Sequence, residues 1–412
     1  MVRKRVAILG AGAAGCLCAV EIARRNPEVA VDLYEASGRP LAKVSMTGGG
    51  RCNLTNDFQG IRSLSEAYPR GEKLMKRLFH RFDNNDTLKW FEQEGVRFVL
   101  QEDHCYFPVT QDAMTIVRTL CRLMNKFGVT LHLHHRVAQI APNEGGFELT
   151  FADEALKKAV CDFLVVTTGG FPKAGQFQIF EPLGLEIAAP VPSLFAFNLE
   201  DKAVRELGGA VVEDVVTSIE GTKFKAQGPL LITDFGMSAP AILKLSSYAA
   251  RYLKECDYKF TLNINWMGET GIDAVRARLQ QMAAENAMKL VTSIHPEELS
   301  ARLWKLIVQR AGLAEDLRWN AVGKKALNKL VETLVNDKYA VSGKNKFKEE
   351  FVTCGGIALS ELNMNTLEAK RYSGLFFAGE ILDMDAITGG FNLQAAWTTG
   401  YVAAESVLSK LT

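Results

Sequence analysis

The sequence lacks any Cys-x-x-Cys pair. Its eight cysteines, at positions 16, 18, 52, 105, 121, 161, 256 and 354 of 412, are scattered, which excludes a zinc ribbon, a dithiol–disulfide reductase and a dense disulfide framework. An excess of either charge is also missing: Lys+Arg number 48 and Asp+Glu 47, a net charge of +1. A dedicated nucleic-acid binder draws its affinity from a basic surplus, so nucleic acid is not the expected partner. No apolar run reaches the roughly 18 residues that cross a bilayer, and no membrane role is expected. One stretch imitates a secretion signal, since residues 1–5 are basic and residues 6–20 almost wholly apolar. Glycines interrupt it at 10, 12 and 15, however, and the helical pattern runs on through Glu21-Ile22-Ala23-Arg24-Arg25. The segment therefore reads as part of a folded, cytoplasmic protein. His132, His134 and His135 lack the further ligands of a metal site, and no metal is expected.

What is present is an ordinary globular composition, 48% hydrophobic and 23% charged, in a chain long enough for two or three domains. Residues 5–9 form an apolar strand, a glycine-rich turn opens a helix that stops near Asn26-Pro27, and a second strand spans 29–34. That order predicts a βαβ unit with parallel strands. Residues 36–60 show no periodicity. Helical patterns follow over 71–82, 86–94 and 111–127, the last closed by Gly128, then short strands over 129–134, 136–141, 147–151 and 161–167. From about 190 the character changes to strands and turns, and after about 265 to helix. From 351 the first style returns, with a strand over 374–379 and a closing helix over 391–409. The expected fold is α/β: a Rossmann-like domain from residues 1–189 plus 351–412, a β-rich inserted subdomain over 190–270 with its last strands near 336–350, and a helical subdomain over 271–335.

Gly10-x-Gly12-x-x-Gly15 lies between a strand and a helix, where a dinucleotide fingerprint must lie. The first glycine makes the turn, the second lets backbone approach a pyrophosphate, and the third lets helix pack on strand. The helix N-terminus adds free N–H groups and positive dipole. Glu35, at the end of the second strand and followed by Ala36, is placed to accept hydrogen bonds from ribose hydroxyls. This motif serves FAD and NAD alike. Two later strands, ending in Thr168-Gly169-Gly170 and in Gly379-Glu380, and the helix opening Gly389-Gly390-Phe391-Asn392 favour FAD, with N–H groups of that helix facing the flavin pyrimidine edge. Three successive glycines, 48 to 50, ahead of Arg51-Cys52-Asn53 suggest backbone pressed against something flat.

The strings GAGAAG, MTGGGRCNLTN, TTGG and GLFFAGEILDMDAITGGFNLQAAWTTGYVAA together resemble the bacterial family of FAD-dependent and NAD(P)/FAD-dependent oxidoreductases named after BaiN and YhiN. The resemblance spans nearly the whole chain. It implies a flavoprotein domain of the two-dinucleotide-binding type carrying a β-rich and a small helical subdomain. Carried over, it puts the diphosphate on Gly10, Gly12, Ala13, Ala14 and Gly15, the ribose on Glu35, and the adenine beside the Val137 backbone. Lys43, Thr47, Gly48, Gly49, Gly50, Arg51, Cys52 and Asn53 would run along the cofactor, with Gly379, Glu380, Gly389, Gly390, Phe391 and Asn392 at the ribityl and flavin. Leu41-Ala42 stand where the family usually has Gly-Arg, the segment after Gly170 is shorter than usual, and Asp234 stands where a histidine is common.

The expected activity is oxidation–reduction of a small organic molecule. By analogy with the family it is reduction of an unsaturated, enone or steroid-like compound with NADH or NADPH as donor. The alternatives are an oxidase of a small amine yielding peroxide, and a non-catalytic flavin-binding module whose contact would be the basic stretch 61–82. Reduction of a polarised double bond needs a proton donor, and Tyr106, Asp383, Asp385 and Cys354 are the candidates. The GxGxxG pattern occurs once, so a nicotinamide would have to use the substrate cleft. Oligomeric state is left open.

Overall fold

The computed structural model describes residues 3–152, 158–345 and 352–411. It divides into two compact units, Met1–Val191 with Val352–Thr412, and Pro192–Phe351.

The first unit is built on five parallel strands: β1 (Arg5–Leu9), β2 (Ala30–Tyr34), β3 (Thr130–His132), β4 (Phe163–Val166) and β5 (Leu375–Phe377), in the order β5-β4-β1-β2-β3. Val6 pairs with Phe163, Leu33 with Leu131 and Leu164 with Leu375. This is the Rossmann order, the chain leaving β1 to one side for β2 and β3 and returning on the other side for β4 and β5. Helix α1 (Ala13–Arg25) follows β1, α2 (Ala42–Gly50) follows β2, α3 (Met114–Lys126) precedes β3, and α4 (Phe391–Leu411) closes the unit. On α3, Ile116, Val117, Leu120, Leu123 and Met124 are buried along one stripe, and Gly128 just beyond takes φ +73°, the left-handed stop its sequence predicts. Helix α1 lies so close to α4 that a Cβ on Gly400 would fall 2.5 Å from the Ala14 carbonyl oxygen.

Two local expectations change. Residues 42–50, read as aperiodic, are a short helix with a break at Thr47 (φ −63°, ψ 148°); three glycines in nine residues hide its period. The glycine-containing stretch Thr353-Cys354-Gly355-Gly356 reads in the sequence as a loop, yet it lies in the strand Val352–Ile357, which pairs with Ile187–Ser193.

The second unit holds a closed six-stranded barrel. Its strands run in the order Phe197–Leu199, Gly236–Ser238, Lys225–Ile232, Val211–Ile219, Phe260–Asn265 and Asp337–Lys344. The helices Ile272–Glu285, Ala301–Arg310 and Lys324–Val335 fall between the last two strands in sequence, and Trp266, Trp304 and Trp319 are buried in this unit's core. Of the strands expected near 336–350, residues 346–350 lie outside the described residues, as does residue 351.

Candidate functional site

β1 and β4 lie side by side with their connections running opposite ways, and the carboxyl ends of such a strand pair are the usual seat of a ligand in open α/β sheets. Gly10 has φ +99°, and a Cβ on it would sit 2.5 Å from the Thr167 carbonyl oxygen; one on Gly15 would sit 2.0 Å from the Gly10 carbonyl oxygen. Packing alone forbids side chains at both. Gly12, the N-cap of α1, differs: a Cβ there would meet nothing within 4 Å. The backbone is thus bare over open space at the positive end of a 13-residue helix, with Ala13 and Ala14 buried in its first turn. A phosphate fits there.

Both oxygens of the Glu35 carboxylate accept backbone hydrogen bonds, from Ala11 N at 2.9 Å and Ser37 N at 2.8 Å. Each oxygen keeps a second lone pair for a ribose hydroxyl. Glu35 therefore tethers the glycine turn and keeps acceptor capacity on both oxygens, while Ala36 beside it is exposed. Glu35→Arg is expected to weaken FAD binding at least tenfold, since a lost hydrogen bond to a charged acceptor costs roughly 1.5–3 kcal/mol. Cofactor occupancy, and the release of FAD rather than FMN on denaturation, measure it; unchanged occupancy would remove Glu35 from the site.

Gly48, Gly49 and Gly50 all have left-handed φ, +58°, +67° and +83°. A Cβ on Gly48 would press at 2.9 Å on Asn53 N and on the Phe107 ring, whereas one on Gly49 or Gly50 would meet nothing within 4 Å, leaving a second stretch of bare backbone. Arg51, over the Phe107 ring at 4.4 Å, returns its Nε to the Gly48 carbonyl at 3.1 Å. Thr47 Oγ1 donates to the Val44 carbonyl. Cys52 is buried, and burial pushes its thiol up to about 12, so it is no nucleophile at neutral pH.

At the ends of β4 and β5, Glu380 accepts from Thr353 N at 3.0 Å and from Lys43 Nζ at 2.9 Å. Gly170 is pinned beside it: a Cβ would lie 2.8 Å from Glu380 Oε1. Gly169 and Gly379 take φ +74° and +76°. Thr168 Oγ1, just past the carboxyl end of β4, is buried and has no hydrogen-bond partner, an orphan that a bound polar group would satisfy. Bare backbone at Gly12, Gly49 and Gly50, a helix N-terminus, an acid at the second strand and an orphan hydroxyl together make the set of donors and acceptors a dinucleotide needs, so these residues fit FAD. Val137 lies farther along the first unit in the strand Val137–Asn143, opposite Phe151.

The start of α4 is more tightly built than its sequence suggests. Asn53, with its amide turned so that each atom meets a complementary group, donates to the Thr55 carbonyl at 3.1 Å and accepts from Gly390 N at 3.3 Å. Gly389 O accepts from Asn56 Nδ2 at 3.1 Å. Asn392 does not reach outward: its amide accepts from Ala386 N and donates to the Ala386 carbonyl, both at 2.9 Å. The expected N–H donors thus reduce to Phe391 and its successors, since Gly390 N is already engaged. Phe391 receives Tyr68 OH on its carbonyl at 3.0 Å and packs edge-on against Phe58.

Two residues that sequence reasoning did not single out secure this arrangement. The buried Gln394 accepts from Thr55 Oγ1 at 2.6 Å and donates to Thr87 and Thr398 hydroxyls, and Trp397 Nε1 donates to the Leu54 carbonyl at 3.1 Å. Both stand in the quoted string FNLQAAW; a polar residue at an otherwise apolar helix position was the available signal.

Among the proton-donor candidates, Asp385 is fully buried in a two-pronged ion pair with Arg70, which commits it to structure. Cys354 is fully buried in its strand. Tyr106 lies on the strand Cys105–Pro108, between buried Cys105 and Phe107, and so on the opposite face from them. Asp383 is half-buried, with its N–H on the Ile357 carbonyl. The 61–82 stretch turns three of its six cations inward or onto neighbours: Arg70 to Asp385, Arg77 to Asn365, and Arg81 to Asn365 and Glu405. Among the described residues no group of three or more metal-ligating side chains occurs, and no helix is long and apolar enough to cross a membrane.

A family model described as the HI0933-like protein Rossmann domain matches residues 4–406. The chain is 28% identical over 415 residues to a ribosomal RNA dihydrouridine synthase of Escherichia coli, covering 98% of this chain and 97% of that protein. It is 24% identical over 420 residues to the 3-dehydro-bile acid delta(4,6)-reductase of Clostridium scindens, covering 98% and 99%. Among solved structures it is similar to a variant of the E. coli quinol fumarate reductase FrdA, with TM-score 0.51, 14% identity, and 99% and 71% of the two chains covered. It is also similar to the 3-ketosteroid delta1-dehydrogenase of Sterolibacterium denitrificans, with TM-score 0.50, 11% identity, and 98% and 99% covered. At such identities the structural likeness is one of fold.

Proposed function

The chain belongs to the HI0933-like Rossmann-domain family, and on that premise we propose that it reduces a carbon–carbon double bond conjugated to a carbonyl, the substrate being a uracil ring within RNA. It is a FAD-dependent oxidoreductase. FAD, when bound, supplies the two-electron chemistry. The protein's own part is to hold the diphosphate on Gly12 and the head of α1, the ribose on Glu35, and the distal half along Gly48–Gly50 and the start of α4.

The observation that supports the substrate class is the pair of full-length relatives. One is named for making dihydrouridine and the other for reducing a 3-dehydro-bile acid. On our reading both names imply saturation of a double bond conjugated with a carbonyl, a hydride adding at an electrophilic carbon remote from that carbonyl and a proton at a carbon nearer to it. RNA is favoured over a steroid by the higher identity at equal coverage, 28% against 24%. The near-zero net charge does not oppose this, because an enzyme that takes one base out of its stack needs a local cationic surface rather than a global excess. Of the proton-donor candidates we favour Tyr106 and Asp383, because Asp385 is paired with Arg70 and Cys354 is fully buried. NADH or NADPH is the proposed electron donor.

The test is anaerobic mixing with NADH, NADPH or an amine panel while following flavin absorbance, then addition of ribosomal RNA lacking the modification. Bleaching by a nicotinamide, reoxidation by RNA and a uridine that gains two hydrogens are expected. Bleaching by an amine with peroxide on admitting oxygen would replace the reading with an oxidase, and turnover of a steroid enone but not of RNA would move the substrate to the small-molecule class.

A further inference from the structure

Residues 317–331 carry Arg318, Lys324, Lys325 and Lys329 and not one carboxylate, although the chain as a whole has a net charge of only +1. The structure gathers this run at one place in the second unit. Arg318 begins a turn held against residues 286–290, through Trp319 N to the Lys289 carbonyl and Asn320 N to the Ala287 carbonyl. Lys324 and Lys325 open the helix Lys324–Val335 that follows. Between that helix and Ile272–Glu285 lies a groove of about 650 Å³. Its polar lining is Arg276, Gln280, Lys324 and Asn328, over an apolar floor that includes Val322 and Leu327.

Two cations, two amides and no carboxylate face one groove. Arg276 is partnered by Asp273 on its own helix, but Lys324, Lys325 and Lys329 are exposed and form no ion pair among the described residues. No acidic residue occupies the first turn of Lys324–Val335 and no side chain caps it, so two lysines stand at the positive end of the helix dipole, an unfavourable placement that an anion reverses.

We propose that this groove seats the RNA backbone, Lys324 and Arg276 in its lining and Lys325 beside Lys324 in the chain meeting phosphates, the amides meeting phosphate or ribose oxygens, and the floor meeting the sugar. The proposal rests on the uracil reading above. It assigns the helical part of the second unit a task the first unit does not perform: fixing the register of a long polymer while a single base is reduced.

The experiment uses the full FAD-loaded chain and a fluorescent ribosomal RNA transcript, with anisotropy measured across a range of KCl concentrations and dihydrouridine scored in parallel. Lys324→Glu combined with Lys325→Glu is expected to weaken binding at least tenfold and to flatten the salt dependence by about one to two in the log–log slope, as loss of one or two phosphate contacts requires. Lys324→Gln with Lys325→Gln should give a smaller loss in the same direction, and flavin absorbance and melting temperature should not move. Unchanged affinity and slope in an enzyme that still forms dihydrouridine would overturn the groove and leave the substrate reading intact. Groove-dependent RNA binding without dihydrouridine would uphold the groove and overturn the chemistry. A parent enzyme that neither binds nor modifies RNA would overturn both.

Discussion

Gly390→Ala is expected to strip the protein of FAD and to lower the melting temperature of the first unit by roughly 6–12 °C, taking a cost of about 3 kcal/mol and the usual 2–4 °C per kcal/mol for a unit of this size. A glycine that merely precedes a helix would cost about 1 kcal/mol on substitution. Here φ is +85°, and a Cβ would lie 2.6 Å from the side-chain amide of Asn53 and 2.7–2.8 Å from the Thr55 carbonyl group. The asparagine amide can yield but the backbone of Thr55 cannot, because Gln394 and Trp397 hold residues 54–55 in place. Calorimetry and flavin absorbance read the two effects together. A variant that keeps its FAD and loses only about 1 kcal/mol would show that the start of α4 is an ordinary helix start.

That contrast marks how far the sequence could be read. The fingerprint at Gly10, Gly12 and Gly15 was legible because each glycine answers to a local demand, a turn, an approach and a packing contact, at fixed spacing. The parallel βαβ unit was legible for the same reason. Residues brought together from distant parts of the chain were not. Nothing near Gly390 announces that Thr55 will be its neighbour, and Asn392 reads as a flavin contact until its amide is found closing the Ala386–Ile387 loop. The barrel, too, could be read only as strands and turns, since closure is set by pairings such as Phe197 with Lys344 that no short window contains.

Asp385→Asn is expected to destabilise the first unit by about 3–5 kcal/mol, the usual cost of leaving one member of a buried ion pair without its partner's charge. Arg70→Gln should reproduce the loss, and the double variant should lose less than the sum, the signature of a direct coupling. Thermal or denaturant unfolding measures all three. If Asp385 served instead as the proton donor, Asp385→Asn would unfold like the parent while losing turnover, and Arg70→Gln would not phenocopy it. The pairing also shows why carboxylates of the string GEILDMDAITGG had to be sorted by structure: Glu380, Asp383 and Asp385 lie within six positions, yet one is shared between Thr353 and Lys43, one is half-buried, and one is sealed against Arg70.

The Rossmann sheet takes its last strand from residues 375–377, paired to residues 164–166 across the whole of the second unit's sequence. On a ribosome, which delivers the chain from its amino end, the βαβ unit emerges early with one side of β4 lacking its neighbour, and the barrel and its helices are made before that neighbour exists. The exposed strand is a standing invitation to mispairing throughout that interval. A cofactor held in part by Gly379, Glu380 and the head of α4 can be captured in full only after that segment is made, so the yield of holoprotein in a cell is expected to depend on how well the half-made sheet is sheltered until then.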